Sequence, residues 1–345
     1  GRGGRERREP AAVAVFDLGG GTFDASVVWI DGDDFQVLAS AGIEDLGGDD
    51  LDRALLDMFL GKLKLSPDAV IPLTRYALLR QARAQKETIS NGVVKTLFLN
   101  PMDFGIQGFP VSIPVKAYYE RLRPMLKRAV NTLASVIARA AEREPRINVD
   151  ESLTIYLVGG ASKLPLVSQM VAEAFNRCKV ILTDKPFTSV AMGAAVCAMD
   201  RVRYRDIFAR HFGLLRLRDF GRAEVFDVVF PAGTPIPRKG EPPLERTAWY
   251  HPHHNIGHLR YLECANIGPN GMPDGTVRAW SDVLFPYDPT IPLVSRSSPE
   301  QIVGTEQFAS QTVCEVYRCD SDGVITVELR RPSTDEVRMH EIYQE

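Results

Sequence analysis

Residues 13–30, VAVFDLGGGTFDASVVWI, limit what this chain can fold into more than any other stretch. VAVFDL (13–18) and FDASVVWI (23–30) both follow a period of two, the signature of strands with one buried face. Gly19, Gly20 and Gly21 join them as a hairpin turn, and a third strand, DFQVLASAG (34–42), follows. Three antiparallel strands thus precede any helix. That order excludes a purely parallel Rossmann sheet and predicts a mixed one.

Helical and strand periods then alternate up to about residue 205. Asp49 and Asp50 offer an N-cap to a helix with Leu51, Leu55, Met58, Phe59 and Leu63 on one face. A second helix, about 74–89, carries Leu78, Leu79, Ala82 and Ile89, with Arg83 and Lys86 on its polar face. Strands are expected at about 93–100 and 109–113, followed by a helical stretch from Val115 to about Arg143. Pro124 lacks the N–H an interior turn needs, so a new helix is expected to begin there. TIYLVGG (154–160) reads as a buried strand ending on a glycine pair, Leu164–Phe175 as a helix and Val190–Met199 as a last helix.

Beyond residue 205 the helical period disappears. RAEVFDVVF (222–230), RTAWYH (246–251), LRYLECANI (259–267), VCEVYRCD (313–320) and VITVELR (324–330) alternate between turn signals such as PAGTPIP, GPNG and DSDG. This pattern predicts an antiparallel β-sandwich or barrel, with RVRYRDIFARHFG (201–213) as the connection. At 345 residues the chain is long enough for two domains with separate cores, 1–205 and 206–345.

A net charge of −3 gives no global attraction to nucleic acid or to an anionic membrane. The basic start, GRGGRERRE, reads as a short tail or loop. No apolar run approaches the length of a membrane span, and no signal peptide is recognisable. Cys178, Cys197, Cys264, Cys314 and Cys319 are odd in number and lack CxxC spacing, which suits thiols in a reducing cytoplasm.

Three glycines exceed what a tight turn requires, although a turn alone would use some of them. Without side chains they let a ligand approach the backbone and gather N–H groups into a nest suited to phosphate. Asp17 and Asp24 flank the turn, where a carboxylate could hold hydrated Mg²⁺ or orient a water, and the Thr22 hydroxyl could reach a terminal phosphate. The run is not a Walker loop, since no Gly-Lys-Ser/Thr follows and a strand replaces the helix. Gly159 and Gly160 end a buried strand and would let a flat base or ribose lie on the backbone, or simply serve packing.

These stretches resemble the DnaK family of heat-shock chaperones, within the actin–hexokinase superfamily of ATPases. DLGGGTFDAS looks like that family's second phosphate loop and DLGGDDLD (45–52) like its following segment. LVGGASKLPLV (157–167) resembles its adenosine loop and MGAAVCA (192–198) its closing helix. GTPIPRK (233–239) and CEVYRCDSDGVITVEL (314–329) resemble parts of its peptide-binding β-domain, whereas residues 240–312 match poorly. The resemblance implies an α/β lobe with a mixed sheet, actin-like and ribonuclease-H-like, over residues 1–205. It also implies an antiparallel peptide-binding β-sandwich over 206–345.

Carried over residue by residue, the resemblance makes Gly19, Gly20, Gly21 and Thr22 the phosphate contacts. Asp17 becomes the residue that positions Mg²⁺, through water, and the attacking water, with Asp24 in support. Gly48, Arg83, Lys86, Ser90, Gly159, Gly160 and Lys163 become the adenosine side. Three positions depart from the family pattern: Arg83 stands where an acid belongs, Lys163 where a base-stacking arginine belongs, and Phe187 near where another acid belongs. Only about a dozen residues precede the first strand, so the chain is expected to be the second nucleotide-binding lobe plus a β-domain of a longer protein. The implied cofactors are ATP or ADP and Mg²⁺. The implied partners are unfolded or extended peptides and co-chaperones, with no nucleic acid and no membrane, in the cytoplasm.

HPHHNIGH (251–258) gathers His251, His253, His254 and His258, and an exposed loop is the expected setting, with a His-ligated metal as the alternative. Ser26, Ser90 and Ser162 have no recognisable His–Asp partner, and Trp29, Phe35 and Phe59 are expected in the core. Three activities remain in competition: an ATP-driven chaperone, a non-hydrolysing nucleotide-sensing or scaffolding relative, and a small-molecule kinase of the same superfamily. The kinase reading is opposed by the β-domain. This chain alone is expected to hydrolyse ATP negligibly.

Overall fold

The computed structural model describes residues 9–147, 153–218, 223–291, 301–331 and 336–344. The basic stretch 1–8 and Arg222, the first residue of a predicted strand, lie outside them. The chain divides into two compact units, Gly1–Arg203 and Tyr204–Glu345.

The first unit is built on β1 (Ala11–Leu18), β2 (Phe23–Asp31) and β3 (Asp34–Ile43), an antiparallel meander as the alternation predicts. On β1, Ala12, Ala14, Phe16 and Leu18 face the core, and Phe23, Ala25 and Val27 do so on β2. β6 (Thr154–Val158) lies parallel to β1, and β7 (Lys179–Leu182) is parallel to β6. With β8 (Arg203–Arg205) beside β3, the sheet runs β7-β6-β1-β2-β3-β8. It is mixed, as the order of periods requires. β4 (Thr96–Leu99) and β5 (Val111–Pro114) pair separately as a short antiparallel ribbon.

α1 (Gly48–Leu63) and α2 (Pro72–Thr88) pack on each other, and α3 (Val115–Arg143) crosses β2 and β3. α4 (Pro165–Ala174) and α5 (Ser189–Ala198) complete the unit. Two helical expectations are corrected. α1 begins at Gly48 behind Gly47, and Asp50 takes the third helical position, where its carboxylate accepts the Gly47 N–H at 2.8 Å. The helix starts early because Gly47 must lie against the glycine turn, where a Cβ would sit 2.5 Å from the Gly20 carbonyl oxygen. α3 runs unbroken for 29 residues, with Pro124 inside it. The buried stripe Tyr118, Leu122, Leu126, Ala129 and Leu133 continues past Pro124, which is on the exposed face, so packing holds the helix together across the missing N–H.

The second unit contains two four-stranded sheets. One runs β10-β9-β12-β13, from β9 (His211–Arg218), β10 (Ala223–Phe230), β12 (Ile256–Ile267) and β13 (Pro273–Pro286). The other runs β11-β14-β15-β16, from β11 (Leu244–Tyr250), β14 (Val313–Cys319), β15 (Ile325–Arg330) and β16 (Val337–Ile342). Both are antiparallel throughout. Phe212, Leu214, Tyr261 and Phe285 of the first sheet share one core with Tyr317, Val327 and Leu329 of the second, the arrangement of a sandwich. Sequence periodicity missed β7, β8, β9, β13 and β16, so the predicted connection 201–213 is partly strand. Phe59 is fully buried and Trp29 packs partly buried against the core, whereas Phe35 is half-buried and outside the core cluster.

Candidate functional site

The glycine turn is held by its carbonyls. The Gly48 N–H donates to the Gly19 oxygen at 2.9 Å and the Asp49 N–H to the Gly20 oxygen at 2.7 Å. In a planar trans peptide the next N–H points opposite to the carbonyl. With both carbonyls turned toward the start of α1, the N–H groups of Gly20 and Gly21 point away from it, on one side of the turn. Gly20 and Gly21 are exposed, and a Cβ at either would meet nothing within 4 Å, so the turn has room beside it for a ligand. This is a concave N–H nest, a fit for phosphate oxygens.

Asp17 and Asp24 are cross-strand partners at the mouth of the hairpin. Burial first, and the neighbouring Asp24 second, push the Asp17 carboxyl above the usual carboxylate range. A carboxyl whose ionisation is opposed by burial and by a second carboxylate is relieved by a cation, so the donor set fits a hydrated Mg²⁺. The Thr22 hydroxyl donates to Asp24 at 3.3 Å. Beside Asp17, at the carboxyl end of the parallel strand β6, Gly159 adopts φ +84°. A Cβ there would lie 2.2 Å from the Leu18 oxygen and 2.5 Å from Asp17 Oδ1. The site therefore sits at the carboxyl ends of β1 and β6, where open α/β sheets bind ligands.

A cavity of 470 Å³ opens next to the turn. Of the residues expected on the adenosine side, Gly48, Arg83, Lys86, Ser90, Gly160 and Lys163 line it, together with Gly19 and Gly20. Asp17, Gly21, Thr22, Asp24 and Gly159 lie outside this lining, around the hairpin. Arg83 is held by the first two turns of α1: its Nε donates to Asp52 at 2.9 Å and its Nη2 to Asp49. Lys86 lies 2.7 Å from the other Asp52 oxygen and donates to the Gly48 carbonyl at 2.9 Å. Asp52 has no exposed surface, and a carboxylate so placed requires both cations. Arg83 and Lys86 thus clamp α2 to the start of α1 and fix the wall of the cavity.

Residues 3–208 match the Hsp70 protein family. The chain belongs to the Hsp70 family. It is 31% identical to a chaperone protein HscA homolog of Acidithiobacillus ferrooxidans over 96% of its length, covering 48% of that relative. It is 33% identical to the chaperone protein HscA of Escherichia coli over 56% of its length, 29% of that protein. A homolog from Shewanella denitrificans is 35% identical over 56% of the chain and 30% of the relative. The chain spans about half the length, or less, of these curated relatives.

Within this Hsp70-family chain, sequence reasoning missed Asp49, Asp52 and Glu87, all of which line the cavity. The signal for Asp52 was a carboxylate on the apolar side of α1 in register with Leu51, Leu55 and Leu56, which no unpaired acid tolerates. Ser162 is buried and donates to the Val158 carbonyl at 2.6 Å, a structural bond. The histidines are dispersed in purpose: His251 shares a 2.8 Å hydrogen bond with the Gln311 carbonyl and His258 lies 2.6 Å from Asp282. Burial and the neighbouring His253 hold His254 below the usual histidine range. Among the described residues no cluster of three His, Cys, Asp or Glu could hold a metal.

The second unit has its own cavity, of 740 Å³, lined by Leu215, Arg216, Tyr250, His254, Ile256 and Tyr287 among others. Beneath it Arg216 bridges Asp227 at 2.7 Å and the fully buried Glu315 at 2.5 Å, and the Tyr317 hydroxyl donates to Glu315 at 2.7 Å.

Proposed function

We propose that this chain carries the second nucleotide-binding lobe, 1–205, and the peptide-binding β-domain, 206–345, of an ATP-dependent chaperone. The observation that carries the nucleotide reading is the open N–H nest of Gly20 and Gly21 beside the Asp17–Asp24 pair and a cavity of nucleotide size. Gly19, Gly20, Gly21 and Thr22 hold the phosphates of ATP or ADP. Gly48, Lys86, Ser90, Gly160 and Lys163 line the adenosine side, with Gly159 behind them against β1 and Arg83 acting through the wall it fixes.

Asp17, through water, and Asp24 are the residues that would hold Mg²⁺. When bound, the ion neutralises charge on the phosphates. Asp17 also orients a water toward the terminal phosphate, and Thr22 steadies Asp24. In this chemistry positioning and charge supply nearly all of the acceleration, and this lobe offers one face of the phosphate site. It binds ATP and turns it over negligibly by itself.

The β-domain takes extended peptide segments along its cavity, with strand pairing for affinity and side-chain hollows for selectivity. Co-chaperones complete the partner set. All five cysteines are thiols, in keeping with a cytoplasmic setting. No helix among the described residues is long and apolar enough to cross a membrane.

The test is calorimetric titration of the chain with Mg·ATP, beside a phosphate-release assay. Binding that disappears in Asp17→Asn, with no measurable turnover, is the expected result. Turnover at the rate of an intact Hsp70 protein would overturn it, as would an absence of any nucleotide binding. A second reading, a relative that senses nucleotide without hydrolysing it, is favoured by the Lys163 and Phe187 departures. ATP binding without turnover in the full-length protein would select it.

A further inference from the structure

The cavity beside the glycine turn has one flat hydrophobic surface, and it is not a feature the family resemblance supplies. Phe187 is the sole aromatic side chain in its lining among the described residues. The ring is 73% exposed and belongs to no core cluster, so its surface is accessible to a ligand in the cavity. It is nonetheless held in place. Its edge lies against Gly160, where a Cβ would come within 2.4 Å of the ring, so any side chain at 160 would displace it. The Lys163 ammonium sits 5.3 Å from the ring centre, a cation–π contact that fixes both side chains. The segment itself is tied down, since the Gly159 N–H donates to the Pro186 carbonyl at 3.0 Å and Ser189 is bonded back to Lys185.

The other candidates for gripping a planar base are committed elsewhere. The Arg83 guanidinium is spent on Asp49 and Asp52, and Lys163 is a compact charge without a planar face. A base entering this cavity with its phosphates at Gly19 and Gly20 therefore meets one available π surface.

We propose that Phe187 is the stacking platform for the base of the bound nucleotide, so that this pocket holds its base by aromatic contact rather than between charged side chains. This rests on the nucleotide reading above, and the experiment separates the two. The chain, as wild type, Phe187→Ala and Phe187→Trp, is titrated calorimetrically with Mg·ATP and with Mg·tripolyphosphate, which has the phosphates and no base. Phe187→Ala is expected to lose about 5- to 150-fold in affinity for ATP, the range of one base–aromatic stack, and nothing for tripolyphosphate. Phe187→Trp should retain ATP binding, with its indole fluorescence quenched by ATP and unchanged by tripolyphosphate. Unaltered or tighter ATP binding by Phe187→Ala would overturn the proposal, tighter binding meaning that the ring occupies the base position instead. Failure of the wild type to bind either ligand would remove the nucleotide reading and the platform with it.

Discussion

Asp17 is a single residue whose ionisation works against the fold. Its carboxyl is raised by burial and by Asp24, so the folded chain binds that proton more tightly than the unfolded chain does. Stability tied to this group is therefore present at low pH and is lost as pH rises through the carboxylate range. Asp17→Asn removes the penalty. Its thermal midpoint should exceed that of the wild type at pH 7, and the difference should shrink as the wild-type carboxyl becomes protonated in acid. A lower midpoint at pH 7 would show that Asp17 is stabilising and contradict the like-charge account. The glycine turn was legible as a candidate ligand loop because its chemistry is local: count, spacing and flanking acids. Asp52 and Phe187 were not, since a buried acid and a held aromatic acquire meaning only from Arg83, Lys86, Gly160 and Lys163, which arrive from other elements.

At the scale of elements, α3 tolerates Pro124 because its apolar stripe is buried along the sheet on both sides of it. Proline inside a helix costs about 3 kcal/mol relative to alanine, and about 1 kcal/mol of that is offset by the stiffer unfolded chain. Pro124→Ala should accordingly stabilise the first unit by about 2 kcal/mol in urea unfolding; a neutral or destabilising effect would mean that the helix is kinked to suit its packing. In the β-sandwich, Glu315 is fully buried between Arg216 and Tyr317. Glu315→Ala leaves the Arg216 charge half-compensated by Asp227 and should cost about 3–5 kcal/mol. The double replacement Glu315→Leu with Arg216→Met should recover most of it, and no recovery would argue that the pair is needed for the fold rather than merely accommodated.

For the whole molecule, the larger core is assembled from residues up to Val171 and the main sandwich core from Phe212 onward, with no residue in common. Scanning calorimetry should resolve two transitions, with Mg·ATP raising only the one assigned to the first unit, by mass action. A single transition shifted as a whole by ATP would show the units unfolding together.

The alternating periods by themselves determined a mixed α/β unit followed by an antiparallel β-sandwich, and the glycine run singled out the loop proposed to take phosphate. These are properties of adjacent residues: side-chain alternation, turn geometry and N–H groups in one loop. Only the tertiary structure decided that Arg83 braces α2 against α1, that Pro124 lies within one long helix, and that Phe187 stands at the cavity wall. The physical reason is the same for each. A buried charge, a missing hydrogen bond and an exposed ring are unfavourable alone, and their outcome is fixed by neighbours that only folding supplies.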